Sequence, residues 1–287
     1  GDSACVYPPQ SISEAAMDDM REATAKMAKE LEVVGLMNIQ FAVKNDNVYV
    51  LEVNPRASRT IPYLSKSTGV QLAKIATQVM VGKSLEEIGF TDEAEVDHVS
   101  VKEAVFSFSN LPGVDTVLGP EMKATGEAMG IDTDFGKAYY KSQISAGMEL
   151  PEDGNVFISV RNKDLRTVTL IASNLENMGF DIFATEGTGN KLKNMGVDVE
   201  VVPKVRDIER PNILDLIKSD QMDLIINTPV GKGAKSDEFE IRSMAVNFDI
   251  PYITTMAGAT AAVNAIKRIS EGEMTVKPIQ EFSGDEA

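Results

Sequence analysis

Gln40, Glu52 and Asn54 are oxygen-bearing side chains set in or beside two apolar runs, "LMNIQFAV" and "VYVLEV", separated by a polar "KNDN". Runs of this kind around a short polar turn read as a β-hairpin. Glu52 and Asn54 are two apart, so a strand points both to one face. Gln40 falls directly opposite Glu52 if the hairpin loop holds an odd number of residues. Two or three oxygens converging from adjacent strands suit a hard cation such as Mg²⁺, which takes a few protein oxygens and keeps phosphate oxygens. Arg56 and Arg59 follow just past Pro55, placed to grip a phosphate or another anion. The same residues also allow a plainer arrangement, a Glu52–Arg59 ion pair tying off the strand. A lone ionised carboxylate inside a buried strand would be costly, so one compensation or the other is required. The residues alone leave both open.

A second set of polar residues lies further along. "ATEGTGNKL" places Thr185, Gly187, Thr188 and Gly189 at a strand end before a short helix, where amides and hydroxyls make a ready anion site. Lys204 closes the strand "VVPKV", and Asn227 and Thr228 end another in "IINTPVGKG". Each turn alone is a weak signal. Three polar strand ends in one parallel sheet form a stronger one.

These residues need elements to hold them. Ser11 or Ser13 can cap a helix running to about Val33, with Glu14 available to a capping box and apolar residues at helical spacing. After the hairpin, Val70–Val81 reads as a helix closed by Gly82, and a strand follows around "VSVKEAVFSF". A turn is expected at Leu111-Pro112-Gly113 and a helix near Phe135–Ala146. "GMELPEDGN" is the most linker-like stretch, dividing the sequence into 1–147 and 148–287. From Asn155 onward, strand and helix patterns alternate strictly. That alternation implies a parallel sheet covered on both faces, with ligands favoured at the carboxyl ends of its strands. The expected fold class is therefore α/β together with α+β. No internal repeat or low-complexity segment interrupts it.

Composition narrows the function classes. At 287 residues the sequence is long enough for about two domains with real cores. A net charge of −16 argues against a general nucleic-acid binder, which needs a basic face, but not against small phosphorylated ligands. Cys5 is alone, so no internal disulfide forms and a reducing cytoplasm is the expected setting. No apolar stretch is long enough for a membrane span. The sequence starts at Gly1 rather than Met, and is expected to be a segment of a longer polypeptide.

The stretch "GLMNIQFAVKNDNVYVLEVNPRASRTIPYLSKSTGVQLAKIATQVMVGKSLEEIG" resembles the ATP-grasp core of carbamoyl phosphate synthase large subunits. "SVKEAVFSF", "LPGVDTVLGPEMKATGEAMG" and the C-terminal alternating region continue the likeness, as does Gly1-Asp2-Ser3-Ala4-Cys5. The match is to the C-terminal half, which phosphorylates carbamate with a second ATP. The resemblance implies a partial ATP-grasp lobe carrying the hairpin, then a doubly wound, methylglyoxal-synthase-like allosteric domain. It makes Gln40, Glu52 and Asn54 ligands of Mg²⁺ or Mn²⁺ on the phosphates of ATP, the substrate, and gives Arg59 the transferred phosphoryl group. It assigns Thr185, Thr188, Lys204, Asn227 and Thr228 to a phosphorylated nucleotide effector. Asp2, Glu103, Tyr252 and Thr254 match an ornithine site.

Two residues depart from the family pattern: Leu165 stands where a lysine is often found, with Lys163 close by, and Pro229 replaces a hydroxyl residue seen in some members. Methylglyoxal synthase activity is not expected, because His98, the only histidine, lies outside that domain and reads as a surface or satisfied loop residue. The lid lobe is expected before Gly1, so the segment alone should be inactive. The implied partners are the rest of the large subunit, the glutaminase small subunit, the effector and ornithine, in an oligomer, with no nucleic acid and no membrane. A reading of another class is a non-catalytic effector-binding or assembly module.

Overall fold

The computed structural model describes residues 2–108, 118–119, 121–228 and 237–282. The protein forms two compact units, a smaller one of residues 5–102 with 276–287 and a larger one of residues 1–4 with 103–275.

In the smaller unit, β1 (Cys5–Tyr7) leads to α1 (Glu14–Glu30) and the hairpin of β2 (Asn38–Lys44) and β3 (Asn47–Asn54). Then come α2 (Thr60–Thr68), α3 (Leu72–Met80), the single turn α4 (Leu85–Ile88) and the first four residues of β4 (Val99–Val105). Ser13 caps α1, its Oγ accepting from the Ala16 amide at 3.3 Å and donating to Asp46 Oδ1 at 2.8 Å. The hairpin turn is the two residues Asn45 and Asp46, both left-handed at φ 51° and 60°, the conformation that matches strand twist. Gly69 ends α2 in the left-handed region at φ 73°. Tyr63 in α2 donates to the Ser100 carbonyl at 2.7 Å, fastening the helix to β4. His98 is buried, with Nε2 2.8 Å from the Ser67 carbonyl and its ring edge-on to Phe282. Its Nδ1 is buried without a hydrogen-bond partner, 3.5 Å from Asp97 Oδ1, so the expected surface or satisfied histidine is neither at the surface nor fully satisfied.

The larger unit contains β5 (Gly126–Asp132), α5 (Phe135–Ser145), β6 (Asn155–Ser159), α6 (Leu165–Asn177), β7 (Asp181–Thr185) and α7 (Glu186–Asn194). It continues through β8 (Glu200–Val202), α8 (Ile213–Lys218), β9 (Leu224–Asn227), α9 (Asp237–Asn247), β10 (Tyr252–Ile253) and α10 (Met256–Ser270). The strands β6 to β10 form one parallel sheet in the order β10-β9-β6-β7-β8. "VFI" of β6 and "LII" of β9 are fully buried, as strands covered on both faces must be. Phe157 and Ile225 pack with Ile213, Ile217 and Ile241 of the covering helices. From β6 the backbone winds outward through β7 and β8, then returns to β9 and β10 on the other side. That reversal opens a crevice at the carboxyl ends of β6 and β9.

β5 packs tightly on α5 at Gly130, where a Cβ would overlap the Ala138 carbonyl and the Ser142 amide. At Gly136, a Cβ would meet the Asn264 carbonyl of α10 at 3.1 Å. The linker-like stretch has left-handed glycines at Gly147 (φ 84°) and Gly154 (φ 110°). Between them Leu150 is only 1% exposed, and its carbonyl accepts from Tyr140 Oη at 3.4 Å. Residues 103–147 therefore pack with the parallel-sheet region, so the packing units and the 147/148 sequence division group the residues differently. The turn expected at Leu111-Pro112-Gly113, and Pro229, lie outside the described residues.

Candidate functional site

In the hairpin, Gln40 pairs with Glu52 and Asn38 with Asn54, so Gln40, Glu52 and Asn54 share one face. The route to this pairing differs from the expectation. The turn has two residues, an even number, and on its own would set Gln40 against Leu51. A β-bulge between Gln40 and Phe41 leaves Leu51 unpaired and restores the Gln40–Glu52 register. Asn54 Nδ2 donates to Glu52 Oε1 at 2.9 Å, and Arg56 Nη2 donates to Asn54 Oδ1 at 3.4 Å.

The expectation of a buried carboxylate is corrected here. Glu52 is exposed, as are Tyr49, Val50 and Leu51. Among the described residues β2 and β3 form a sheet of two strands only, so no further strand shields the run. Arg59, exposed, is the N-cap of α2, and among the described residues no ion pair joins it to Glu52. Nor does any group of three or more His, Cys, Asp or Glu assemble among them; this cluster instead offers one carboxylate and two amide oxygens.

At the crevice of the parallel sheet, Ser159 ends β6 beside Asn227, which ends β9. Ser159 Oγ lies 3.2 Å from Thr185 Oγ1, the N-cap residue of α7. Thr188 Oγ1 accepts from the Val160 amide at 3.3 Å, and Thr228 Oγ1 accepts from the Arg161 amide at 3.0 Å. Ser159, Thr185, Thr188, Asn227 and Thr228 thus gather at the carboxyl ends of the three adjacent strands β7, β6 and β9. α7 begins at Glu186, so Thr188 and both glycines lie in the helix rather than in a turn before it. Asn227 is 1% exposed, and neither its Oδ1 nor its Nδ2 has a partner among the described residues. Lys204, just beyond β8, is exposed, and its amide donates to Asp207 at 2.9 Å.

Ser159, Arg161 and Asp164 were missed at this edge. Ser159 was findable, since it ends the first strand of a doubly wound sheet. Arg161 Nε donates to Asp164 Oδ2 at 3.0 Å. Burial alone would raise the Asp164 carboxyl, but hydrogen bonds from Arg161 and Thr228, with the charges of Arg161 and Lys163, outweigh it and hold it below the usual carboxylate range. Leu165 starts α6 and Lys163 is exposed in the turn before it.

Asp2 accepts from the amides of Lys123 and Ala124, each at 2.8 Å. Glu103 accepts from Gln143 Nε2 at 2.6 Å and from the Ala104 amide at 3.0 Å. Tyr252 and Thr254 lie on and just after β10. Both carboxylates of this set already serve local structure.

Comparisons with known proteins show the family. Residues 1–88 match the family profile "Carbamoyl-phosphate synthase L chain, ATP binding domain", and residues 167–254 match the MGS-like domain. The protein is 55% identical over 99% of its length to the carbamoyl phosphate synthase large chain of Methanothermobacter thermautotrophicus, covering 27% of that protein. It is 53% identical to the C-terminal section of the large chain from Methanocaldococcus jannaschii, covering 98% of this sequence and 47% of that one. It thus spans between about a quarter and a half of these relatives. Among solved structures, the biotin carboxylase domain of a single-chain bacterial carboxylase aligns at 15% identity and a TM-score of 0.41, over 50% of this protein and 39% of that one. That last likeness is too slight to carry weight. A carbamoyl phosphate synthase large chain from Methanosarcina barkeri is 51% identical over 98% of this sequence and 71% of its own length, and the chain belongs to the carbamoyl phosphate synthase large-chain family.

Proposed function

We propose that this chain is the C-terminal part of an ATP-dependent carbamoyl phosphate synthase. In this reading it supplies hairpin ligands for carbamate phosphorylation and a domain that binds a phosphorylated effector. The observation that carries the first role is the bulge-set pairing of Gln40 with Glu52, in line with Asn54. One carboxylate and two amide oxygens suit Mg²⁺ or Mn²⁺, hard cations that retain phosphate oxygens as further ligands. When bound, such an ion would neutralise phosphate charge that otherwise repels an anionic nucleophile. Asn54 Nδ2 donates to Glu52 Oε1, which leaves Asn54 Oδ1 and Glu52 Oε2 as the oxygens that would face a cation. Arg59, at the first turn of α2, would meet the transferred phosphoryl group.

The second role rests on the polar edge at the crevice, where Thr185, Thr188, Asn227 and Thr228 meet and Lys204 flanks them. An expected boundary at 147/148 leaves the whole MGS-like match on its C-terminal side. The ornithine role of Asp2, Glu103, Tyr252 and Thr254 rests on residue matching and requires both carboxylates to share their present partners. The rest of the large subunit, the glutaminase subunit, an oligomeric assembly and a cytoplasmic setting belong to the same proposal. No helix among the described residues is long and apolar enough to cross a membrane.

The test is the reverse of carbamate phosphorylation: ATP formation from ADP and carbamoyl phosphate by the complete large subunit. Glu52→Gln should abolish it while bicarbonate-dependent ATP hydrolysis by the other synthetase half continues. Retained ATP formation would defeat the proposal and favour the non-catalytic module.

A further inference from the structure

Arg242, in α9, is the largest of the fully buried side chains, at 2% exposure. Among the described residues its Nε and Nη1 have no hydrogen-bond partner, and it enters no ion pair. Glu238 stands four residues earlier, at the spacing of a helical ion pair, yet the two do not pair. The connecting stretch 229–236 contributes Lys232 and Lys235 and no carboxylate. An arginine keeps its charge in any folded protein, and burying that charge without a counter-charge is strongly unfavourable. Something outside these groups must answer it.

The position of α9 indicates what. Asp237, its first residue, pairs with Arg206 Nε at 2.7 Å, two residues beyond Lys204. The helix therefore starts at the carboxyl edge of the sheet. Ile241 and Ala245 of α9 pack in one cluster with Ile225, two residues before Asn227 on β9. Helical side chains lean toward the helix N-terminus, so the Arg242 guanidinium heads back toward that edge. There the buried Asn227 amide is also without a partner. A phosphoryl group, with several oxygens to share, can satisfy many such donors at once.

We propose that Arg242 is the buried charge that receives the phosphoryl group of the effector, with Asn227 at the same edge and the exposed Lys204 as an outer contact. This rests on the effector-domain reading above and extends it to a residue whose sequence setting gave no sign of a site. The test is calorimetric titration of the 287-residue protein with uridine and inosine 5′-monophosphates, their parent nucleosides and inorganic phosphate. The readout is the preference for monophosphate over nucleoside. Arg242→Met should cut that preference by roughly ten- to a hundredfold, the scale of hydrogen bonds to a charged group. Lys204→Ala should cut it less. Removing an unanswered buried charge should also raise the unfolding temperature of unliganded Arg242→Met while shrinking the rise that monophosphate produces. If Arg242→Met does not fold, Arg242→Lys serves, and it should keep part of the preference. An unchanged preference in both variants would overturn the role of Arg242 and leave the effector reading standing. A wild-type protein that binds none of the phosphorylated probes would overturn both.

Discussion

The hairpin edge and the crevice of the parallel sheet both gather polar side chains, but they hold them differently. On the hairpin, Glu52, Asn54 and Arg56 are near solvent and hydrogen-bond one another in series. At the crevice, threonine hydroxyls are tied to backbone amides, while Asn227 is buried with both polar atoms unanswered. Water can satisfy an exposed group, so the hairpin loses little without a ligand. A buried group has no such recourse. Spacing therefore reveals the hairpin site, and burial reveals the crevice.

The contrast can be broken most sharply at Glu52. In the complete enzyme, Glu52→Gln should lower carbamoyl phosphate synthesis by about a thousandfold or more, while glutamine hydrolysis is largely kept. Because Glu52 is exposed, the same change should move stability by less than about 0.5 kcal/mol, read by urea unfolding. A large loss of stability instead would make Glu52 structural. Next in size, Leu224→Ala in the fully buried β9 should cost about 3 kcal/mol, whereas Leu51→Ala, at 59% exposure, should cost little. Equal costs would erase the distinction between the two strands.

Thr188→Val should cost about 1–2 kcal/mol, because the Val160 amide loses its acceptor. A smaller effect is expected from Asp164, whose carboxyl is held below its ordinary value of 3.8. Its stabilisation is present above that value and is lost as pH falls through the lower folded one. Asp164→Asn should therefore cost about 1 kcal/mol at neutral pH, with the gap to wild type closing in acid. Chemical unfolding between neutral and strongly acid pH reads both. A gap independent of pH would remove the carboxylate charge from the account.

Much of this could be read from residues, and the failures have physical causes. The alternation after Asn155 is legible because buried runs such as "LII" separate amphipathic helices cleanly. β5 was missed because Gly126 and Gly130 look like breakers, whereas Gly130 is there to admit α5. Gly187 and Gly189 likewise disguised the start of α7; a Cβ at Gly189 would press on Val201 at 2.8 Å. Arg242 reads from sequence as the polar face of a helix, whereas it is only 2% exposed. At the hairpin, the Gln40–Glu52 pair was expected from an odd loop, whereas the loop is even and a bulge restores the pair. A bulge is a backbone event with no residue code of its own.

That bulge bears on how this segment can change over evolutionary time. Deleting Leu51 would leave a regular hairpin in which the two-residue turn alone sets Gln40 against Glu52. The extra residue is thus a one-residue insertion absorbed within a single exposed pleat, with the strand beyond it unmoved. Relatives that count one residue fewer between the turn and the E-x-N triplet should keep the same cross-strand partners. Strand length and ligand alignment can drift separately here, so an alignment gap at Leu51 should not be mistaken for a lost site.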